Sequence, residues 1–234
     1  MSIALIAGRG ILPVEIAKRL QETQKDTLII ALRDDVDTLK PYASRLIHMK
    51  TPKIQRGLRE IKAFGSDKVI MAGSIPKNII YCLPLLFDRT ARSILRKTLR
   101  DDHSLLGAVV AAIEEEGIKV IPYWQILPEF IASKGQLSSR SPTRQEQKDI
   151  AYAQEILRVT LPCSFGQAVC VADGAVVALE AMEGTDRMIM RCGELSGHGV
   201  IVKMMKTTQD MRYDLPTVGT NTLEAMKNAG LTCL

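Results

Sequence analysis

The chain has 234 residues, of which 46% are hydrophobic and 24% are charged, and its formal net charge is +5 at pH 7. This composition excludes disordered and collagen-like proteins, and the length suits one large domain or two modest ones, of which we favour two. A nucleic-acid-binding role is not expected, because the positive charge is mild and spread along the chain and aromatic residues make up only 4% of it.

Neither a membrane-spanning segment nor a signal peptide is predicted. No apolar run approaches the roughly 20 residues that cross a bilayer, and the N-terminal sequence MSIALIAGRG lacks a positive start and a cleavage site. We therefore expect a cytoplasmic protein. The five cysteines show no CxxC spacing, so neither a zinc site nor a disulfide framework is indicated, and we expect buried thiols.

The first half of the chain alternates between apolar strands and amphipathic helices. The predicted strands are Ile3–Ala7, Thr27–Leu32, Arg45–Met49, Lys68–Ala72 and Lys119–Tyr123, and the predicted helices are Leu12–Leu20, Ile54–Phe64 and Arg92–Glu116, the last interrupted around Arg100 to His103. This alternation predicts an α/β domain with a Rossmann-like parallel sheet, whose ligands bind beyond the carboxyl ends of the strands. We assign residues 1–132 to this N-terminal domain.

The second half predicts a smaller α+β domain with a mixed sheet over residues 145–234. Residues 133–144 are rich in Ser, Gly and Pro, which indicates a linker before it. Asp173-Gly174 between two apolar runs is a strong hairpin signal. The predicted elements are a helix over Gln145–Leu157, strands over Ala168–Val171, Val176–Leu179 and Val200–Met204, and a helix over Asp186–Cys192 that Thr185 caps.

The densest group of charged side chains lies between Lys203 and Gly219. Lysine and arginine here can bind phosphate or carboxylate oxygens, and the two aspartates are the hard ligands that Mg²⁺ prefers. The cationic candidates are Lys203, Lys206 and Arg212, and the anionic candidates are Asp210 and Asp214. The combination predicts a site that binds an anionic substrate together with a divalent cation.

The two aspartates are not expected to bind one ion together. In an extended segment they would lie roughly 13 Å apart. Asp214 is favoured, because Leu215 to Thr217 predicts a helix that continues through Met226, and a helix N-terminus attracts phosphate. The alternative, in which Asp214 caps that helix within a loop of solvated charges, is equally consistent with the pattern.

Two glycine turns follow predicted strands of the first domain. Gly8, Gly10 and Ile11 follow the first strand, and Gly73 and Ser74 follow the fourth. A dinucleotide motif would need a third glycine where Pro13 stands, with Asp34 or Asp35 on the ribose, so a general phosphate or nucleotide turn is favoured. A nucleotide-dependent oxidoreductase stays open as the alternative.

Three further carboxylates are candidates. Asp101 and Asp102 interrupt a predicted helix and could reach the ligand end of the sheet, although adjacent acidic residues also suit a solvated turn. Asp186 stands at the predicted start of a helix, where it could bind a metal or serve as a cap.

Several segments together resemble the LpxI-type UDP-2,3-diacylglucosamine pyrophosphatase family, over nearly the whole chain. They are IALIAGRGILPVEIA, MAGSIPK, DDHSLL, VVALEAMEGTDRMI and VKMMKTTQDMRYDLPTVG, in which EGTD and DLPT are specific in combination. The resemblance implies hydrolysis of UDP-2,3-diacylglucosamine to lipid X and UMP in lipid A synthesis, supported by Mg²⁺, with Mn²⁺ or another divalent cation as substitutes. A binding protein without turnover is the other alternative.

The resemblance also implies roles for individual residues. The aspartate of DLPT, Asp214, is the essential one. Joining this with the residue chemistry, we expect Lys203, Lys206 and Arg212 to bind the diphosphate and the glycine turns to bind the UDP half, with Thr185 among the substrate contacts. The family pattern continues beyond Leu234, so a shortened C-terminal domain is expected. Peripheral contact with the inner face of the cytoplasmic membrane and a homodimer are further hypotheses.

Overall fold

A computed structural model describes residues 2–51, 53–75, 88–91, 93, 102–206 and 209–234, with residues 102–104 described by their backbone alone. The chain forms two compact units. Unit 1 comprises Met1–Ala132 and Asp210–Asp214, and unit 2 comprises Ser133–Gln209 and Leu215–Leu234. The chain therefore passes into unit 1 a second time, for five residues that carry two of the predicted carboxylates.

Unit 1 contains a five-stranded parallel sheet, which confirms the predicted fold class. Its strands are β1 (Ser2–Ala7), β2 (Asp26–Ala31), β3 (Arg45–His48), β4 (Lys68–Ala72) and β5 (Lys119–Val120), in the order β3-β2-β1-β4-β5. The helices are α1 (Leu12–Glu22), α2 (Ile54–Ala63) and α3 (Asp102–Glu114). Strand order reverses between β1 and β4, the position where ligands of such sheets bind.

Two elements of unit 1 have bounds that differ from the prediction. Strand β5 ends at Val120, earlier than predicted, because Pro122 has no N–H to donate to a ladder and a 3-10 turn follows at Tyr123–Gln125. The predicted helix from Arg92 is described as α3 from Asp102 onward, and residues 94–101 lie outside the described residues. The prediction for Asp101 and for the side chain of Asp102 therefore lies outside them too.

Unit 2 is built on three antiparallel strands with helices on both faces. The strands are β6 (Ala168–Ala172), β7 (Ala175–Leu179) and β8 (Val200–Lys203), in the order β7-β6-β8, and the helices are α4 (Arg144–Thr160), α5 (Thr185–Ser196) and α6 (Thr220–Asn228). Alternate residues of the fully buried β6 face opposite sides: Cys170 packs with the α5 and α6 side chains, whereas Val169 and Val171 pack with those of α4. An isolated parallel bridge between Val200 and Cys233 extends the sheet.

The predicted hairpin is confirmed. Asp173 and Gly174 both have positive φ, at 51° and 79°, as a type I′ turn requires. The buried carboxylate of Asp149 on α4 accepts hydrogen bonds from both of their N–H groups, at 3.1 and 2.8 Å. The turn is thus held by its own sequence and by a helix that precedes it in the chain.

Two helix starts differ from prediction. Helix α5 begins at Thr185 itself after Gly184, and the described N-terminus has no side-chain cap, so the capping role of Thr185 is wrong. Helix α6 begins at Thr220, not at Leu215 to Thr217. Residues 215–217 are not helical, because the Thr217 carbonyl accepts a hydrogen bond from Lys203 and the Thr217 hydroxyl donates one to the Leu215 carbonyl.

The prediction of buried thiols is wrong for one pair, which forms a disulfide, and for Cys163, whose thiol is exposed; Cys82 lies outside the described residues. Cys170 on β6 and Cys192 on α5 are both fully buried and form a disulfide, while Cys163 and Cys233 are thiols. Local spacing gave no sign of the pair, because the two residues are 22 positions apart and meet only when α5 packs on the sheet.

Residues 133–144 are almost all exposed, and Arg140 connects them to the rest of unit 2. Its guanidinium binds both carboxylate oxygens of Glu146 and donates to the Thr232 carbonyl at 2.8 Å. The hydrogen bond from Arg140, followed by that from the Thr143 backbone, lowers the pKa of Glu146 to about 2. The assignment of these residues as a linker stays a prediction.

Asp149→Ala is expected to lower the free energy of unfolding by about 1–3 kcal/mol, because two backbone N–H groups of the hairpin turn lose their acceptor. Asp149→Asn keeps one acceptor oxygen and should cost less. Urea denaturation measures both, with the exposed Glu155→Ala on the same helix as control, for which a change within about 0.5 kcal/mol is expected. Equal midpoints for Asp149→Ala and the control would contradict the anchoring role.

Candidate active site

Polar side chains of unit 2 gather at one end of its sheet. Because the strands are antiparallel, the start of β6 lies beside the ends of β7 and β8. We call this group the polar end; its members are Ser164, Gln167, Glu180, Thr185, Lys203 and Lys206. Hydrogen bonds among them join all three strand connections, so the grouping is a property of the fold and not of one loop.

Glu180 is the innermost member of the polar end, with 6% of its surface exposed. One carboxylate oxygen accepts the Gln167 N–H at 3.2 Å, and the other accepts the Thr185 hydroxyl at 3.1 Å. Gly166 permits this approach, since a Cβ there would lie 2.1 Å from the Glu180 carbonyl oxygen. The sequence analysis missed Glu180. The one feature of the sequence that could have indicated it is the position of an acidic residue directly after an apolar strand.

Both predicted lysines of this region have their ammonium groups held by hydroxyl oxygens. Lys203 Nζ donates to Thr185 Oγ1 at 3.1 Å and to the Thr217 carbonyl at 3.0 Å. Lys206 Nζ donates to Ser164 Oγ. Ser164 has a left-handed backbone, with φ of 62°. The structure thus brings Lys203, Lys206 and Thr185 together, and two cations at one strand end form a surface suited to phosphate oxygens.

Residues 210–214, which belong to unit 1, form a turn and not the extended segment considered above. The Asp214 N–H donates to the Asp210 carbonyl at 3.1 Å, which closes one helical turn. We call this segment the 210–214 turn. The separation of roughly 13 Å that the extended geometry implied for the two aspartates does not apply.

Arg212 attaches the 210–214 turn to α3. Its Nη1 donates to Glu114 at 2.5 Å, and its Nη2 donates to Asp210 at 2.7 Å. Nε also bonds both oxygens of Asp210, at 3.0 and 3.1 Å, and the Arg212 N–H bonds one of them at 2.9 Å. These contacts, with Asp210 contributing most, raise the pKa of Arg212 above its ordinary value. The guanidinium charge is therefore matched by two carboxylates of its own unit.

Apolar and aromatic contacts complete the attachment. Tyr213 packs against the core of unit 1, which includes Val110 and Ile113 of α3. Desolvation, together with the negative charge of Asp210, raises the pKa of Tyr213 to about 12. Trp124 Nε1 donates to the Met211 carbonyl at 3.3 Å. Contacts on several sides thus hold the backbone that carries Asp214.

The loops that follow β1 and β4 bind each other. The Arg9 N–H donates to the Ser74 carbonyl at 2.7 Å, and the Ser74 N–H donates to the Arg9 carbonyl at 3.0 Å. A Cβ on Gly8 would lie 2.6 Å from Ser74 O, and one on Gly73 would lie 2.6 Å from Arg9 O. Glycine at these two positions is explained by the contact between the loops, whereas the sequence analysis attributed it to a ligand.

Gly10 and Ile11 are the open part of this pair of loops. Gly10 has φ of 100°, and a Cβ there would meet no atom within 4 Å, while Ile11 is 67% exposed. The Gly10 carbonyl accepts from Arg33 Nη1 at 2.7 Å. Arg33, which follows β2, is 7% exposed and pairs through Nε and Nη2 with Asp35. The sequence analysis did not single out Arg33.

The two acidic residues considered for a ribose both pair with arginine. Asp35 binds Arg33, whose hydrogen bond and positive charge hold the pKa of Asp35 below its usual value despite desolvation. Asp34 forms an ion pair with Arg9, in which Oδ2 and Nη2 are 3.5 Å apart. Such pairing gives the oxidoreductase alternative no support from this part of the structure.

The predicted metal ligands are distributed over both units. Asp186 on α5 accepts from the Thr222 hydroxyl of α6 at 3.1 Å, and Asp210 is bound to Arg212 as described. Within the described ranges no group of three or more His, Cys, Asp or Glu side chains could hold a metal ion. Mg²⁺ commonly keeps several waters and binds one or two protein carboxylates together with substrate phosphates. Asp214 stays a predicted ligand of such a site.

Comparison with known proteins gives matches along nearly the whole chain. Residues 2–130 match the model of the LpxI N-terminal domain, and residues 133–234 match that of the LpxI C-terminal domain. A UDP-2,3-diacylglucosamine pyrophosphatase LpxI from Caulobacter vibrioides is 30% identical over 244 aligned residues, which cover 98% of this chain and 85% of that protein.

Solved structures add little. The biotin carboxylase subunit of pyruvate carboxylase (15% identity, TM-score 0.31) and the biotin carboxylase domain of Hydrogenobacter thermophilus 2-oxoglutarate carboxylase (11%, TM-score 0.32) each align with 77% of this chain and 38% of their own. Of the helices that the structure describes, none is long and apolar enough to cross a membrane.

Arg212→Met is expected to loosen the 210–214 turn, because both ion pairs are lost. The chain has a single tryptophan, Trp124, whose bond to the turn makes its fluorescence a local probe. We expect a shifted emission maximum and about tenfold faster exchange of the Asp214 amide. Arg191→Met, which breaks an ion pair with Glu183 in unit 2, should leave both unchanged. If Arg212→Met matches this control, the ion pairs do not hold the turn.

Proposed function

Because the chain belongs to the LpxI family, we propose that it hydrolyses the diphosphate of UDP-2,3-diacylglucosamine in lipid A synthesis. Splitting that bond with water gives UMP and 2,3-diacylglucosamine 1-phosphate, known as lipid X. The observation that carries the proposal is the match of both family domains, over residues 2–130 and 133–234, together with the curated relative that aligns along 98% of the chain.

The polar end supports a role in binding the diphosphate. Phosphate oxygens need cationic donors, and Lys203 and Lys206 present two, each held by a hydroxyl. Preorganised donors stabilise charge that develops in a transition state without having to reorganise during the reaction. We assign Lys203 and Lys206 to the oxygens of the diphosphate.

Asp214 is proposed as the ligand of a divalent cation, Mg²⁺ or Mn²⁺. When bound, such a cation neutralises phosphoryl oxygens and activates water. Asp214 suits this role better than Asp210, because the Asp210 carboxylate oxygens already accept four hydrogen bonds from Arg212. Asp186 remains a predicted ligand.

Arg212 is assigned a positioning role. Its Nε and one hydrogen of each terminal nitrogen bind Asp210 and Glu114, so its charge is largely compensated within unit 1. It keeps the 210–214 turn folded, and Asp214 closes that turn through its own N–H. We therefore propose that Arg212 positions the turn that carries Asp214 and does not itself bind the diphosphate. The sequence analysis predicted that it binds the diphosphate directly.

The open loop after β1 is proposed to bind the UDP half of the substrate. Gly10 and Ile11 leave space above the carboxyl end of the sheet, at the point where strand order reverses. Ser74, Gly8 and Gly73 then shape that loop through their mutual contact. Peripheral association with the inner face of the cytoplasmic membrane would suit a diacylated substrate, and a homodimer stays a prediction.

Excess chelator is expected to abolish hydrolysis of UDP-2,3-diacylglucosamine, and added Mg²⁺ or Mn²⁺ is expected to restore it, because the proposed ligands are hard oxygen atoms. Release of UMP measures the reaction. The control is the same chelator saturated beforehand with Mg²⁺, which should not inhibit. Full turnover in excess chelator would exclude the metal role.

Asp214→Asn removes the charge at nearly constant size and is expected to lower kcat by about a hundredfold or more, with a smaller change in KM. Asp37→Asn removes a charge from an exposed 3-10 turn of unit 1 and serves as the matched control. A variant within tenfold of the parent at equal Mg²⁺ would make Asp214 structural. Tight substrate binding by an inactive parent would instead favour the non-catalytic binding protein.

A further inference from the structure

Glu180 is a buried carboxylate that the roles assigned so far do not use. It is 6% exposed and lies within unit 2 among the end of β7, the start of β6 and the first residue of α5. A carboxylate in such a position costs stability unless donors surround it. The backbone donor from Gln167 would be satisfied equally well by a neutral amide, so that bond alone does not call for a negative charge.

The charge has a consequence for the direction of the neighbouring hydrogen bonds. An ionised carboxylate only accepts hydrogen bonds, and a lysine ammonium only donates them. The Thr185 hydroxyl lies between the two, at 3.1 Å from Glu180 Oε1 and at 3.1 Å from Lys203 Nζ. It must therefore donate its one hydrogen to Glu180, and its lone pairs then face Lys203.

We infer that Glu180 is a positioning residue that, through Thr185, orients the ammonium group of Lys203. Lys203 also donates to the Thr217 carbonyl at 3.0 Å, so both of these acceptors contribute to the direction of its ammonium group. The functional part of this inference rests on the proposed role of Lys203 in binding the diphosphate. The positional part does not, because it concerns contacts within unit 2 alone.

The first test measures the position of Lys203 without any substrate. The protein is treated with a limiting amount of N-hydroxysuccinimidyl acetate, and acetylation of Lys203 is quantified by mass spectrometry relative to the exposed Lys148. Thr185→Val removes the acceptor at similar volume, and we expect about tenfold more acetylation of Lys203. Thr185→Ser keeps the hydroxyl and should behave like the parent.

The second pair of variants tests Glu180 itself. Glu180→Gln keeps the size but loses the charge that sets the direction of the Thr185 hydroxyl, so acetylation of Lys203 should rise. Glu180→Asp keeps the charge on a side chain too short to reach the Thr185 hydroxyl, so acetylation of Lys203 should rise there as well, and this variant serves if Glu180→Gln does not fold. The matched control is Glu183→Gln, which removes a nearby charge that pairs with Arg191 and should leave Lys203 unchanged.

The third test connects position with catalysis. Thr185→Val and Glu180→Gln are expected to lower kcat about tenfold with a smaller change in KM, because a misplaced ammonium loses contacts made mainly in the transition state. Thr185→Ser keeps the hydroxyl and should have the kcat of the parent. If Glu180 and Thr185 acted on stability alone, their variants would lower the melting temperature without lowering kcat more than they change KM, and Thr185→Ser would not differ from Thr185→Val in kcat.

The outcomes separate the two proposals. Parent-like acetylation of Lys203 in Thr185→Val, or in a folded Glu180 variant, overturns this inference whatever the enzyme does. Raised acetylation in both supports the positional part even if the parent does not hydrolyse UDP-2,3-diacylglucosamine, in which case only the proposed function fails. Raised acetylation with unchanged kcat in an active enzyme overturns the functional part.

Discussion

The burial of the Glu180 carboxylate is the constraint on which the polar end of unit 2 depends. A carboxylate removed from water needs donors on every accessible side. The donors come from the Gln167 backbone and from Thr185, so the connection before β6 and the start of α5 must both approach the end of β7. Gly166 has no side chain because that approach leaves no room for a Cβ. At this polar end, Lys203 and Lys206 each donate a hydrogen bond to a hydroxyl oxygen.

A different constraint orders the ligand end of unit 1. There the loops after β1 and β4 bond to each other through their backbones, and glycine at positions 8 and 73 is a steric requirement of that contact. Arg33 then connects the end of β2 to the same place by donating to the Gly10 carbonyl. Three strand ends are joined in this way, and the exposed Ile11 is left at the side that faces solvent.

The sequence predicted those features whose causes lie close together in the chain. Strand β4 has the predicted bounds, and the hairpin at Asp173-Gly174 has the predicted turn, because apolar runs and positive φ are local properties. The 210–214 turn could not be predicted, since Glu114, which binds Arg212, lies 98 positions away. Likewise Thr185 suggested a helix cap, and only the fold shows that Glu180 and Lys203 use its hydroxyl.

Asp210 and Asp214 were equivalent as oxygen ligands in the sequence, and their surroundings now distinguish them. Both carboxylate oxygens of Asp210 accept hydrogen bonds from Arg212, which in turn reaches α3 through Glu114. Asp210 therefore helps fold the turn, and Asp214, whose N–H closes it, is carried by unit 1, although the chain before Asp210 and after Asp214 belongs to unit 2. Holding five residues against a unit that the chain has already left requires a strong attachment. An arginine shared by two carboxylates and a packed tyrosine provide it.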